Sequence, residues 1–156
     1  MVIVADTSPV NYLVLIDHIG VLPRLYTRVL IPPAVFDELT HPAAPSTVRE
    51  WTERHPVWLE VMGPENTVAI AQLDLGESQA IALASELGTG VVQIDELAGP
   101  KEATRRGLKV AGTLSVLDDA DQAGLIKFDE AITRLRKTSF RVSQAVLSEI
   151  EQKRSR

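Results

Sequence analysis

Four carboxylates in this chain combine residue type with a position from which they could act together. Asp6 directly follows the apolar run Val2-Ile3-Val4-Ala5, and Asp95 follows Val91-Val92-Gln93-Ile94. Short unbroken apolar runs are the pattern of strands buried on both faces. In an open parallel sheet, ligands bind beyond the carboxyl ends of such strands, where loops and helix N-termini converge. Glu77 precedes Ala80, Ile81 and Ala84 by three, four and seven residues, which puts it on the inward stripe at the start of a helix. Glu38 lies four and three residues after Ala34 and Val35, again on a buried side, whereas Asp37 points toward Pro33 and solvent. Taken singly, each acid has an ordinary explanation as a turn residue, a complement to a helix dipole or half of a rim salt bridge. Gathered at one sheet edge they would repel one another, and either raised pKa values or a bound cation would relieve this. Oxygen donors without cysteine or clustered histidine select hard ions, Mg²⁺ or Mn²⁺, whose usual partner is a phosphate. The chemistry such a site suits is attack of water on a phosphodiester.

The elements that would place these acids can be read along the chain. Strands are expected at 2–5, 28–31, 58–61, 91–94 and 108–111. Helices are expected at about 9–18, 34–39, 47–55, 76–87, 113–123, 129–137 and 143–153, with a weaker one after Asp95-Glu96. Pro9 behind Thr7-Ser8 predicts a helix start, and Gly88 with Gly90 predicts a helix stop. Strands alternating with helices predict a three-layer α/β sandwich around a central parallel sheet. No internal repeat, low-complexity tract or linker interrupts residues 1–156, so a single domain is expected.

Composition excludes several classes. With 156 residues, 45% hydrophobic and 24% charged, the chain is neither disordered nor membrane-spanning, and no apolar run approaches the ~18–20 residues a bilayer requires. There is no signal-peptide pattern at the start, and a soluble cytoplasmic protein is expected. The absence of cysteine excludes disulfides and thiolate zinc sites. Residues 1–126 hold 8 Lys/Arg against 17 Asp/Glu, whereas residues 127–156 hold 8 against 4. An acidic body with a basic end is not the footprint of a generic duplex-DNA binder. No dinucleotide-binding glycine motif or P-loop is present. His18, His41 and His55 have no metal or triad spacing and are expected at the surface. A receiver-type phosphoacceptor domain would have no use for Glu38 and Glu77. Lys101 is expected on a solvated helix face.

At these residues the chain resembles PIN-domain proteins, and most closely the small prokaryotic group related to VapC toxins, the DUF3368 group. The resemblance runs through VIVADTSPVNYLVLI, IPPAVFDEL, LDLGESQAIALA, VVQIDE, GLKVAGTLSVLDDADQAGLI and FRVSQAVLSEI, in that order. It implies a PIN-like fold and a metal-dependent ribonuclease, usually the toxin of a type II toxin–antitoxin pair. The implied partners are an RNA substrate, an antitoxin protein and a second copy of the chain. Carried over by position, the catalytic and metal-binding set is Asp6, Glu38, Glu77 and Asp95 with Mg²⁺ or Mn²⁺. Asp6 and Asp95 are then the main ligands, and Glu38 and Glu77 act directly or through water. Thr7 or Ser8 would place a hydroxyl near the metal, and Thr113 or Ser115 matches the last site position. The chain departs from the pattern at Pro100, about where an arginine is usual, and Lys101 could replace its charge only as a point cation. Nucleic acid would approach along Arg105, Arg106 and Lys109 or along the C-terminal helices. The alternative is a PIN-fold binding module without turnover.

Overall fold

The structure, a computed structural model, describes residues 1–66, 70, 72–88, 91–95 and 98–155. Five short strands, β1 (Val2–Ala5), β2 (Arg28–Ile31), β3 (Leu59–Val61), β4 (Val91–Gln93) and β5 (Lys109–Val110), form a sheet in the order β3-β2-β1-β4-β5. Every pairing is parallel, with Ile3 opposite Val29, Val4 opposite Val92, Leu30 opposite Glu60 and Val91 opposite Lys109. Parallel neighbours cannot be joined by a tight turn, so the chain crosses over through helices. These are α1 (Thr7–Leu15), α2 (Val21–Leu25), α3 (Pro33–Leu39), α4 (Ser46–Glu53), α5 (Leu75–Leu87), α6 (Ala98–Arg105), α7 (Thr113–Gln122), α8 (Phe128–Leu135) and α9 (Gln144–Arg154). The result is the expected three-layer α/β sandwich.

Strand residues alternate between two cores. Ile3, Ala5, Val29, Ile31 and Val91 enter the larger one, with Leu13 of α1, Leu117 of α7, Leu135 of α8 and Ile150 of α9. Val4, Leu30 and Val92 enter the smaller one, closed by Ala80, Ile81, Leu83 and Ala84 of α5 and Ala103 of α6. Truncating a fully buried leucine such as Leu13 to alanine would cost about 2–5 kcal/mol. The last helix is held by Leu147 and Ile150 in the larger core and by an arginine at its end. Arg154 donates to Asp118 and Asp121 at 2.6 Å and lies 4.7 Å from the centre of the Phe128 ring. Arg134 likewise donates to the carbonyl of Ile16 at 3.1 Å, so part of the basic excess after residue 126 is structural.

Several boundaries differ from the sequence expectation. Helix α1 begins at Thr7 with Asp6 as its N-cap, because Pro9 fits inside a first turn whose amides have no intrahelical acceptor. Helix α2 was not expected; its five residues carry too little periodicity to register. Strand β4 stops at Gln93, so Ile94 and Asp95 lie just beyond it. Gly88 ends α5 at φ +63°, the left-handed conformation that glycine adopts without strain. Gly90, Glu96 and Leu97, to which the sequence reading assigned a helix stop and a strand end, lie outside the described residues. No helix among the described residues is long and apolar enough to cross a membrane.

From β1 the strand order proceeds to β2 and β3 on one side and to β4 and β5 on the other. The order therefore reverses between β1 and β4, and connections leave in opposite directions beyond their carboxyl ends, which opens a crevice. Asp6 and Asp95 stand at that edge, tied by a backbone bond of 2.9 Å from the Asp6 amide to the Gln93 carbonyl.

Candidate active site

Asp6 is almost wholly buried, at 3% relative exposure, and its Oδ1 has no hydrogen-bond partner among the described residues. Burial pushes its carboxyl up from 3.8 to about 8. A backbone bond from Thr7 opposes this, while the charges of Asp74, Glu77 and Glu38 add to it. The neighbouring acids push in the direction expected of a clustered set, but burial is the larger cause.

Glu38 comes to Asp6 from α3. The Thr7 hydroxyl of α1 donates to its Oε2, which leaves Oε1 directed elsewhere. A Cβ placed on Gly76, in the first turn of α5, would lie 3.0 Å from Glu38 Oε1 and 3.2 Å from Asp6 Oδ1. The space between the two carboxylates is therefore kept by a residue with no side chain. Proline at the start of α3 helps hold Glu38 in place, since its fixed φ suits a first helical position.

Glu77 is buried, at 6% exposure, and is locked by a capping box. Asp74 Oδ1 accepts from the Glu77 amide at 2.8 Å, and Glu77 Oε1 accepts from the Asp74 amide at 3.2 Å. Its Oε2 lies 3.1 Å from where a Cβ on Gly99 would stand, at the start of α6. Sequence reasoning missed Asp74, although an acid three residues before Glu77 at a helix start is a capping-box signal. It also passed over Gly76 and Gly99, whose meaning depends on what approaches them in space.

Asp95 is held differently. Its Oδ1 accepts from the Thr113 amide at 2.7 Å and its Oδ2 from the Thr113 hydroxyl at 2.6 Å, so it caps the N-terminus of α7. Ser8 reaches Oδ2 at 3.5 Å and links this corner to α1. Gly112 again gives clearance, since a Cβ there would sit 3.1 Å from Asp95 Oδ1. The hydroxyl of Ser115 instead donates to the Gly112 carbonyl at 3.0 Å.

Three cavities run along the exposed face of α1. One of about 430 Å³ lies between Thr7, Asn11, Glu38 and His41. A middle one of about 280 Å³ includes Asp6, Thr7, Ser8, Asn11, Glu38 and Asp74. The largest, about 560 Å³, shares Ser8 and Tyr12 with the middle one and continues past Asp95 to Phe140 and Arg141. Asp6 and Glu38 thus lie in the middle of a cleft, with Asp95 toward one end of it.

A model of the PIN-domain family DUF3368 matches residues 2–156. The chain belongs to that family. The PIN domain shares its fold with a PilT N-terminus domain protein from the hyperthermophilic archaeon Sulfolobus solfataricus, at a TM-score of 0.50 and 11% identity. That match covers 92% of this chain and 100% of the other. No curated protein matches. PIN domains are generally nucleases, which agrees with an acidic crevice at the switch point of the sheet.

Other sequence expectations can now be placed on this PIN domain. Arg105 and Arg106 both pair with Glu102, at 2.6 and 2.9 Å, which holds that carboxyl at about 2. Glu102 offsets one of these two positive charges, so the cluster presents one net positive charge rather than two. Pro100 occupies the first turn of α6, where its missing amide hydrogen costs nothing, and Lys101 beside it is exposed. His41 and His55 are exposed; His41 accepts from the Ala43 amide and His55 stacks on Phe36. His18 is half-buried, and burial beside Arg134 lowers its pKa. Among the described residues no three His, Asp or Glu side chains, as they stand, close a metal shell. Asp6 and Glu38 nevertheless suit a hard cation, because an orphaned buried oxygen faces a second carboxylate across a gap that a single Cβ would fill. Magnesium takes one or two carboxylates and keeps several waters, so two protein ligands are sufficient.

Proposed function

We propose that this PIN domain is a metal-dependent ribonuclease in which Asp6 and Glu38 hold Mg²⁺ or Mn²⁺, with Glu77 and Asp95 completing the site directly or through water. The supporting observation is the approach of Asp6 and Glu38 at Gly76 with a buried Asp6 oxygen that has no donor among the described residues. Burying like charges together is costly, and a divalent cation reverses the sign of that cost. Such an ion, when bound, supplies Lewis-acid charge to a phosphate oxygen and lowers the pKa of a coordinated water. The chain's own residues do the positioning. Thr7 fixes one oxygen of Glu38, the Asp74 amide fixes one of Glu77, and Thr113 fixes Asp95. A further carboxylate of the set orients the attacking water.

The reading takes residues 1–156 as a single domain, supported by one sheet with a core on each face. A toxin role in the cytoplasm, a cognate antitoxin and a homodimer rest on the resemblance to VapC-related proteins. An antitoxin segment would cover the cleft and place an Arg or Lys against Asp6 or Asp95. The test is incubation of purified protein with single-stranded RNA in Mn²⁺, in Mg²⁺ and in EDTA, beside Asp6→Asn. Cleavage that needs the ion and Asp6 supports the reading. The alternative is a binding module without turnover, suggested by Pro100 where the family usually has an arginine, and RNA bound but uncut in Mn²⁺ would establish that instead.

A further inference from the structure

We infer that Tyr12, Phe140 and Arg141 form a nucleotide subsite on the Asp95 side of the cleft, where a base of single-stranded RNA stacks on the aromatic pair and a neighbouring phosphate meets Arg141. The inference rests on the ribonuclease reading and adds the side on which the strand is gripped. The cavity there, about 560 Å³, falls in the size range of small-ligand sites. Its lining joins the chemistry that single-stranded RNA requires. Tyr12 and Phe140 meet edge to face, with ring centres 5.0 Å apart at 75°. Tyr12 is steadied by a 2.8 Å bond between its hydroxyl and Ser139. A ring pair fixed from both elements is a stacking platform, and every base offers a π-face to it.

Charge selects the occupant. Among the described residues lining this cavity, Arg141 is the one cation and Asp95 the one carboxylate. Arg141 is exposed and forms no ion pair among the described residues, in contrast to Arg105 and Arg106 on Glu102 and Arg154 on Asp118. The body of the protein is acidic, so a polyanion can be held beside the carboxylates only where a free cation offsets them. Arg141 stands there, with exposed Arg136 and Lys137 preceding it on the same segment. Ser8 and Tyr12 also line the middle cavity that holds Asp6 and Glu38, so a strand lying in the subsite continues onto the acids. A protein segment would gain less from an exposed ring face beside a single guanidinium, and RNA is the occupant argued for.

The experiment measures binding of a fluorescein-labelled single-stranded RNA of about ten nucleotides by anisotropy in EDTA across a salt titration. Cleavage in Mn²⁺ is followed in parallel. Arg141→Ala should weaken binding about tenfold at low salt and lower the slope of log K against log salt by about one. Arg141→Glu should weaken it further, whereas Arg141→Lys should restore most of the salt slope. Phe140→Leu keeps apolar volume against the core but removes the ring, and should weaken binding about five- to tenfold with the salt slope unchanged. Thermal melts identify any variant that loses affinity by unfolding. Wild-type affinity and slope in Arg141→Glu, or no binding by the wild type, overturns the subsite. Binding that depends on Arg141 without any cleavage in Mn²⁺ supports the subsite and removes the nuclease reading. Cleavage indifferent to Arg141 and Phe140 does the reverse.

Discussion

Asp6 and Asp95 follow adjacent parallel strands at one edge of the sheet, but the protein treats them in opposite ways. Asp95 has both oxygens met by Thr113, amide and hydroxyl, at the start of α7. Asp6 is buried, has an oxygen with no donor among the described residues, and feels the charges of Asp74, Glu77 and Glu38. A carboxylate at a helix N-terminus is an ordinary stabilising contact, worth roughly 0.3–1 kcal/mol or more when partly buried. A buried acid among other acids is a cost, and native structures retain such costs where function needs them. The difference teaches that equivalent places in the topology do not imply equivalent chemistry, and it is why the proposed function pairs Asp6 with Glu38 where the family resemblance implies Asp6 with Asp95.

The largest expected effect separates the two aspartates directly. Asp6→Asn should reduce Mn²⁺-dependent cleavage by about a thousandfold, since it removes charge at the proposed ion. Asp95→Asn should reduce it by about tenfold, through a misplaced α7 start. Equal losses in initial rate would mean that both aspartates carry the ion, as the family resemblance implies.

Gly76→Ala sharpens the same contrast without deleting an acid. Alanine in a helix is worth roughly 0.5–1 kcal/mol over glycine, which offsets the crowding of its Cβ against Glu38, Asp6 and Val35, so the cation-free protein should melt close to wild type. The new Cβ would nevertheless occupy the gap between Asp6 and Glu38, and cleavage should fall by about 10- to 100-fold. A variant with unaltered Mn²⁺ response would show that nothing binds across that gap.

Stability against pH gives the next effect. The folded-state value for Asp6, about 8, lies above its ordinary 3.8, so between these limits the folded protein holds a proton that the unfolded chain has released. In EDTA, stability should be greatest at the acid end of that window and should decline as pH rises toward 8. Asp6→Asn should flatten the decline and melt higher than wild type at pH 8, by about 1–2 kcal/mol after the cost of a buried amide. Mn²⁺ at a hundredfold excess over its dissociation constant should stabilise wild type by about 2.7 kcal/mol and reverse the order. Parallel melting curves for the two proteins across pH and Mn²⁺ would remove the ion from Asp6.

The smallest effect belongs to the other end. Thr113→Val keeps the shape of the side chain but deletes the hydroxyl bond to Asp95, and should cost about 1 kcal/mol at every Mn²⁺ concentration. A loss that grows with Mn²⁺ in the same melts would place Asp95 in the ion's shell.

Much of this was legible in the chain. Unbroken apolar runs and their helical spacers determine a parallel sheet, because the central strands β1, β2 and β4 are covered on both faces and must be reached by a crossover. The same patterns put Asp6 and Asp95 at one edge and turn Glu38 and Glu77 inward. What the linear pattern could not carry is which oxygen faces which. That Thr113 satisfies Asp95 and that Gly76 lies against both Asp6 and Glu38 are meetings of residues from different elements, whereas the Asp74–Glu77 box is local and was there to be read. A hydrogen bond depends on tenths of an ångström between segments far apart in sequence, whereas burial periodicity depends only on neighbours along the chain. The sequence by itself therefore determined the architecture and the set of acids. The tertiary structure decided which acid is satisfied and which is left exposed to its neighbours' charge, since only packing sets the distances on which desolvation and Coulomb energy depend.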